Sequence, residues 1–176
     1  MADGYPQGAI LVSLAELKRD VAALAARMAH RMRERGAPWQ AVVGVATGGV
    51  YPAGWIAGGL GLPYREIHIS TYDGTRKLGA PVVLRGLDDP DEGAHLLVVD
   101  DVLDSGDTAL CVRRILPLCD LVTVYTKPAG LRRVTAAGVV PFYARAMPEE
   151  WVVFPWDQPG WNEALPGAVA AYRRSR

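Results

Sequence analysis

The sequence predicts an α/β fold in which a central, mainly parallel sheet is flanked by helices on both faces. Two observations carry that expectation. The apolar runs AVVGVA (41–46) and HLLVVDD (95–101) each pass through a glycine-bearing turn into a stretch with helical character. A further apolar run, LVTVYTK, ends at Lys127. Strands separated by helices pair in parallel, and ligands of such sheets collect at the carboxyl ends of the strands. The site is therefore expected where Ala46, Asp100 and Lys127 end their strands.

Taken in order, the first element is a helix over SLAELKRDVAALAARMAHRMRERG. Ser13 and Glu16 form a capping box, Leu14, Leu17, Val21, Leu24 and Met28 recur at helical spacing, and Gly36 closes it. AVVGVA followed by TGGVYPAGWIAGGLGLP reads as a buried strand, a glycine turn and a second helix. STYDGTRKLGAPVV is polar, holds two glycines with Arg76 and Lys77, and suits an exposed loop. HLLVVDD and SGDTALCVRRILPL repeat the strand, turn and helix, and LVTVYTK adds a strand. The stretch from Pro148 onward is rich in Trp and Pro, with little periodicity.

A chain of 176 residues fits one domain, divided here into an N-terminal helix segment (1–40), a core (41–146) and a final segment with its tail (147–176). Half of the residues are apolar, an ordinary globular balance. Lys plus Arg and Asp plus Glu both number 19, which leaves no field for holding a polyanion and argues against nucleic acid as a partner. No apolar run approaches the roughly 20 residues of a spanning helix, so no membrane association is expected and a cytoplasmic location is. Cys111 and Cys119 have no His or Cys at ligand spacing and read as buried thiols. His30, His68 and His95 are too scattered to form a metal cluster.

The densest chemical signal is VVDDVLDSGDTA. An apolar strand delivers Asp100 and Asp101 into a turn with Asp104, Ser105, Gly106, Asp107 and Thr108. Adjacent carboxylates there can accept hydrogen bonds from vicinal hydroxyls or approach a divalent metal. The following residues open a helix, whose free N–H groups and dipole favour a phosphate. Hydroxyl and phosphate sites side by side describe a ribose 5-phosphate pocket. Simple helix capping by residues 104–107 is the bland alternative, and it does not account for Asp100 and Asp101.

This segment resembles the fingerprint of type I phosphoribosyltransferases, enzymes of 5-phosphoribosyl-1-pyrophosphate (PRPP), without a gap over LLVVDDVLDSGDTA. The order of further pieces resembles bacterial xanthine-guanine phosphoribosyltransferase and related purine salvage enzymes. VGVATGGVYPAG is similar to their first pyrophosphate loop, STYDGTRKL to their flexible lid, VTVYTKPAG to the strand ending in a base-binding Lys, and EEWVVFPWD to their base-binding hood. The resemblance implies that Asp100 and Asp101 hold the ribose hydroxyls with Mg2+ nearby, while Ser105, Gly106, Asp107 and Thr108 cradle the 5-phosphate. It implies that Asp104 faces the base as the proton acceptor.

For the base, the resemblance implies Lys127 at an exocyclic oxygen, Trp151 stacking on the ring, the Val152 backbone at its edge, and Asp157 serving a second magnesium or the base. Read without it, Lys127 is as readily a snorkelling surface lysine, and Trp151 a core residue. The purine enzymes that the chain resembles usually carry Arg or Lys where it has Thr47 before Gly48 and Gly49. The N–H groups of residues 47–50 are then the expected pyrophosphate donors, with Arg76 and Lys77 supplying charge from a lid over residues 71–82. The reaction implied is phosphoribosyl transfer to a 6-oxopurine by a homodimer or homotetramer. A PRPP-binding regulator without turnover and a transferase for another base are the alternatives.

Overall fold

The computed structural model describes residues 5–36, 39–73, 76–85, 95–158 and 161, and the side chains at 35, 70–73 and 76–85 lie outside that description. In chain order the elements are β1 (Ile10–Leu11), α1 (Leu14–Arg35), β2 (Ala41–Ala46), α2 (Val50–Leu60), β3 (Tyr64–Asp73) and β4 (Arg76–Arg85). They continue with β5 (Leu96–Leu103), α3 (Asp107–Ile115), β6 (Asp120–Thr126), α4 (Pro128–Ala136), β7 (Phe142–Ala146), β8 (Val152–Val153) and a 3-10 turn (Pro155–Asp157). A six-stranded sheet has the order β4-β3-β2-β5-β6-β7, parallel except for β4, and β1 pairs with β8 in a small second sheet.

The alternation of apolar side chains in the central strands separates two cores. Val42, Leu97, Val99, Val122 and Val124 meet Leu17, Val21, Leu24 and Met28 of α1 and Ala53, Ile56 and Ala57 of α2. Val43, Val45, Val98 and Leu121 meet Ala109 and Val112 of α3 and Val134 of α4. A strand buried on both faces has no polar side to show, which is why residues 41–45 are unbroken apolar sequence. The capping box of α1 is formed, with Glu16 N–H donating to Ser13 Oγ at 3.2 Å, and Gly36 at φ 70° ends the helix. Both cysteines are free and buried.

The topology turns at β2. The chain proceeds from β2 to β3 on one side, and β5 enters on the other, so the crevice between the ends of β2 and β5 is the switch point of the sheet.

The stretch expected as an exposed loop differs. Residues 64–73 and 76–85 run as two antiparallel strands, with Tyr72 opposite Lys77 and Asp73 opposite Arg76. The glycines and charges of this stretch conceal β-branched and aromatic residues (Thr71, Tyr72, Val82, Val83) that suit a pleated strand. α4 and β7 were not foreseen. The first had a signal in Pro128 at its opening turn; the second is five residues long and mostly half-exposed.

Candidate active site

The acidic pair lies where β2 stops pairing. β5 bonds to β2 through the Gly44 and Val99 positions and then continues against β6 alone as far as Leu103 and Thr126. Asp100 and Asp101 therefore sit within β5, three and two residues before its end, facing the crevice that β2 has left. The expectation that Asp100 ends its strand is corrected in that detail. The first loop crosses the crevice, after a cis Ala46–Thr47 peptide. It packs so tightly that a Cβ on Gly48 would overlap the Asp101 carboxylate, and one on Gly49 would lie 2.5 Å from the Val99 carbonyl oxygen and 2.7 Å from that of Val45. The two glycines thus bring the first loop onto the acidic pair.

Both carboxyls are short of solvent. Burial, followed by the charge of Asp101, holds the Asp100 carboxyl well above the usual carboxylate range. Burial pushes Asp101 up to about 6, against the pull of its hydrogen bonds and with a smaller push from the nearby Asp157 charge. Asp101 N–H donates to Asp100 Oδ1 at 3.0 Å and Val102 N–H to Asp101 Oδ1 at 2.7 Å. Such a pair gains most from a ligand that brings hydroxyl donors or positive charge.

The loop supplies fewer donors than the sequence implied. Gly49 N–H bonds to the Val45 carbonyl at 2.8 Å and Val50 N–H to that of Thr47 at 3.4 Å, because the turn already tightens into α2. Thr47, exposed, and Gly48, half-buried, remain as the two loop positions whose N–H groups are not used in this turn.

After β5 the chain turns through Ser105 and Gly106 into α3. Gly106 is the N-cap, at φ 86°, and gives the helix no side-chain cap. Capping by the acidic residues is therefore not their role here. The opening turn, from Ser105 to Ala109, lines a pocket of about 60 Å³ with Asp100 and Thr123 on its sheet side. The first N–H groups of a helix are without intrahelical partners. Asp107 brings a negative charge to this turn, and the charge is answered from α4. Arg133 Nη1 lies 2.7 Å from Asp107 Oδ1 and donates to the Ser105 carbonyl at 2.9 Å. Ser105 Oγ donates to Asp107 Oδ2 at 2.9 Å. Arg133 was missed in the sequence, where it is one of two adjacent arginines in a stretch to which no element was assigned.

Asp104 and Lys127 meet. Lys127 follows β6 directly, its N–H bonds to the Leu103 carbonyl at 2.9 Å, and its side chain is buried. Its ammonium lies 2.8 Å from Asp104 Oδ1, and Asp104 is more than half exposed. A lysine that is 4 % exposed does not snorkel, which removes that alternative. Gly130, on α4, lies against the Asp104 carbonyl so closely that any Cβ would overlap it. The approach of α4 to the turn thereby fixes both Asp104 and the Arg133 contact.

The segment 147–157 passes beside Lys127. Met147 N–H bonds to the Thr126 carbonyl at 2.8 Å and Glu149 Oε1 accepts from Ala129 N–H at 2.8 Å. Trp151 is 55 % exposed, so its ring is not core. Val152 is buried and pairs with Ile10. Asp157 uses one carboxylate oxygen locally, accepting from Phe154 N–H at 3.0 Å. Between these positions Phe154 and Trp156 stack at 4.8 Å, and Trp156 stacks at 4.8 Å on Tyr51 of α2. This links the segment to the helix that follows the first loop. The side chains of Arg76 and Lys77, expected on a lid, lie outside the described residues, and so do residues 74–75 and 162–176. Among the described residues no three His, Cys, Asp or Glu side chains gather as a ready metal cage, and no helix is long and apolar enough to cross a membrane.

Comparisons with known proteins agree with this geometry. Residues 13–157 match the family described as "Phosphoribosyl transferase domain". The chain is 35% identical over 147 residues to xanthine-guanine phosphoribosyltransferase of Nitratidesulfovibrio vulgaris (strain DP4), covering 83% of each chain. It is 34% identical over 158 residues to the protein of the same name from Desulfotalea psychrophila, covering 89% of this chain and 91% of that one. The crystal structure of a purine phosphoribosyltransferase from Pyrococcus horikoshii superposes with a TM-score of 0.67 at 26% identity, over 88% of this chain and 98% of the other.

Proposed function

The chain belongs to the phosphoribosyl transferase domain family, and from that premise we propose that it transfers the 5-phosphoribosyl group of PRPP to a 6-oxopurine, releasing pyrophosphate and a nucleoside 5'-monophosphate. The observation that carries the choice of base is the buried Lys127 ammonium, 2.8 Å from Asp104 and adjoining the ribose-phosphate turn. A buried ammonium has only donors to offer. It accepts a base with a carbonyl oxygen and rejects one with an amino group at that position, because the rejected base leaves two donors facing each other. Guanine, xanthine and hypoxanthine all carry that oxygen.

In this reading Asp100 and Asp101 receive the two ribose hydroxyls, and the start of α3, with Ser105, Gly106, Asp107 and Thr108, receives the 5-phosphate. Arg133 balances the Asp107 charge beside it. Thr47 and Gly48 present N–H groups to the pyrophosphate, and Arg76 and Lys77 add charge from the lid over residues 71–82. Lys127 orients the base with Trp151, the Val152 backbone and Asp157. Asp104, held by Lys127 on one oxygen, accepts with its exposed oxygen the proton that an imidazole nitrogen of the purine gives up as the new bond forms. Closure of the lid excludes water from the cationic sugar.

The donor set fits Mg2+, which binds through one or two carboxylates together with substrate phosphates and water, so the lack of a three-ligand cage among the described residues is no obstacle. Asp100 and Asp101 would hold it, and Asp157 a second ion; when bound, the ion supplies positive charge to the leaving pyrophosphate. The same reading includes a cytoplasmic homodimer or homotetramer.

The test is pyrophosphate release from PRPP and Mg2+ with guanine, xanthine, hypoxanthine, adenine and uracil in parallel. Release with the 6-oxopurines, and at least about a hundredfold less with adenine, is expected. Equal rates with adenine would overturn the assignment of Lys127, and equal rates with uracil, which carries carbonyl oxygens of its own, would overturn the choice of a purine.

A further inference from the structure

The floor of the ribose-phosphate pocket contains a polar group that the proposed chemistry does not use. Thr123 stands in the middle of β6, is 1 % exposed, and lines the pocket below the opening turn of α3. Its hydroxyl is fully buried and has no hydrogen-bond partner in the protein. An isolated hydroxyl inside an apolar sheet costs stability that a valine of the same shape would not. The residues around it on this face, Val45, Val112 and Leu121, are all apolar and offer no partner.

The nearest polar group by register is the carboxyl of Asp100. In the parallel ladder of β5 and β6, Asp100 is directly opposite Thr123, so both side chains stand on the face that the pocket opens onto. Neighbouring strands are about 4.8 Å apart. The two side chains do not bond directly, and a separation of this order leaves one water able to bridge them, with about 2.8 Å to each oxygen. The pocket, at about 60 Å³, has room for such a water.

We propose that Thr123 is a positioning residue of the ribose-phosphate pocket, its hydroxyl holding an ordered water that fixes the Asp100 carboxyl in the orientation that receives the ribose hydroxyls. Thr123 touches no reacting atom. It acts on the sugar through Asp100, its register partner on β5, whereas Lys127 lies four residues further along, beyond the end of β6, and Trp151 belongs to the final segment. The inference rests on the reading that this pocket takes PRPP.

The test compares Thr123→Val and Thr123→Ser with the wild type in PRPP binding by calorimetry at fixed Mg2+, in KM for PRPP and for guanine, and in thermal midpoint. Valine keeps the shape without the hydroxyl and serine keeps the hydroxyl. The expected result is PRPP affinity about tenfold weaker in the valine variant, unchanged KM for guanine, an equal or higher melting point, and affinity restored to within about twofold by serine. A valine variant that melts higher and binds PRPP as the wild type does would overturn the inference, since the hydroxyl would then be an idle burden. Failure of the wild type itself to bind PRPP would instead overturn the proposed function, and this inference with it.

Discussion

One methyl group added at Gly48 and one at Gly49 should damage this protein in different ways. Gly49 adopts φ −66° and ψ −10°, which alanine accepts without strain, so the cost of Gly49→Ala is steric alone. The new Cβ would lie 2.5 Å from Val99 O, 2.7 Å from Val45 O and 2.9 Å from Asp100 Cα. These atoms belong to the backbones of β2 and β5, and reaching ordinary contact distance requires retreats of about 0.5–0.9 Å. Forcing two central strands apart by that much costs about 3 kcal/mol, the upper end of ordinary overpacking. For a chain of this size the melting point should fall by roughly 6–12 °C. At Gly48 the obstacle is the Asp101 carboxylate, a side chain that can swing away. Gly48→Ala forfeits the bond from Val102 N–H and returns a buried carboxyl toward water, two effects that oppose each other. Its melting point should stay within about 3 °C of the wild type, while the displaced Asp101 weakens PRPP binding by about tenfold or more. Thermal denaturation and PRPP titration of both variants decide the matter. Equal melting points for Gly49→Ala and wild type, or undiminished PRPP affinity in Gly48→Ala, would refute the packing argument.

Two further predictions concern charge. Arg133→Ala removes the guanidinium beside the Asp107 carboxylate, next to the proposed 5-phosphate position, so KM for PRPP should rise about tenfold with KM for the base unchanged, and Asp107→Asn in the same chain should recover most of the loss; no recovery in the double variant would show that Arg133 does not act through Asp107. Asp101 has its folded pKa raised to about 6, chiefly by burial, and Asp100 is raised as well. Over the window from about pH 4 to 6 the folded state then binds more protons than the unfolded one, and this pair's contribution to stability falls as pH rises. Asp101→Asn should therefore melt higher than the wild type at pH 8, by a margin that shrinks toward pH 4, while binding PRPP poorly. A margin independent of pH would contradict the assignment.

The legible parts of this chain were those that local chemistry dictates. AVVGVA and LLVV are apolar without a break, and LVTVYT is largely so, because their strands are covered on both faces, and Ser13 with Glu16 announces α1 by a contact three residues long. The acidic pair, the glycines of the first loop and Lys127 were found because strands of such a sheet deliver their ends to one crevice. What could not be read depends on partners distant in sequence. β3 and β4 support one another as an antiparallel pair, which turns a glycine-bearing polar stretch into strands. Arg133 has its role only because Gly130 lets α4 approach the Asp104 backbone. Thr123 within LVTVYT looks like any β-branched strand residue, and only the register opposite Asp100 and the pocket above it give its hydroxyl significance. The loop's reduced set of donors was equally hidden, since it follows from how tightly the turn enters α2.

The central claim, that Asp104 and Lys127 form the base-accepting end of a phosphoribosyl-transfer site, is tested most directly by following the nucleoside 5'-monophosphate formed from PRPP, Mg2+ and guanine in the wild type and in Asp104→Asn. Asparagine is the informative substitution, because its carbonyl still receives the buried Lys127 ammonium and spares the fold the roughly 3–5 kcal/mol of leaving that charge unpaired. The account predicts nucleotide formation by the wild type and a loss of about a hundredfold or more in kcat for the variant, with PRPP binding and melting point nearly unchanged. A wild type that binds PRPP and forms no nucleotide with any base, or an Asp104→Asn variant that turns over at the wild-type rate, would contradict it.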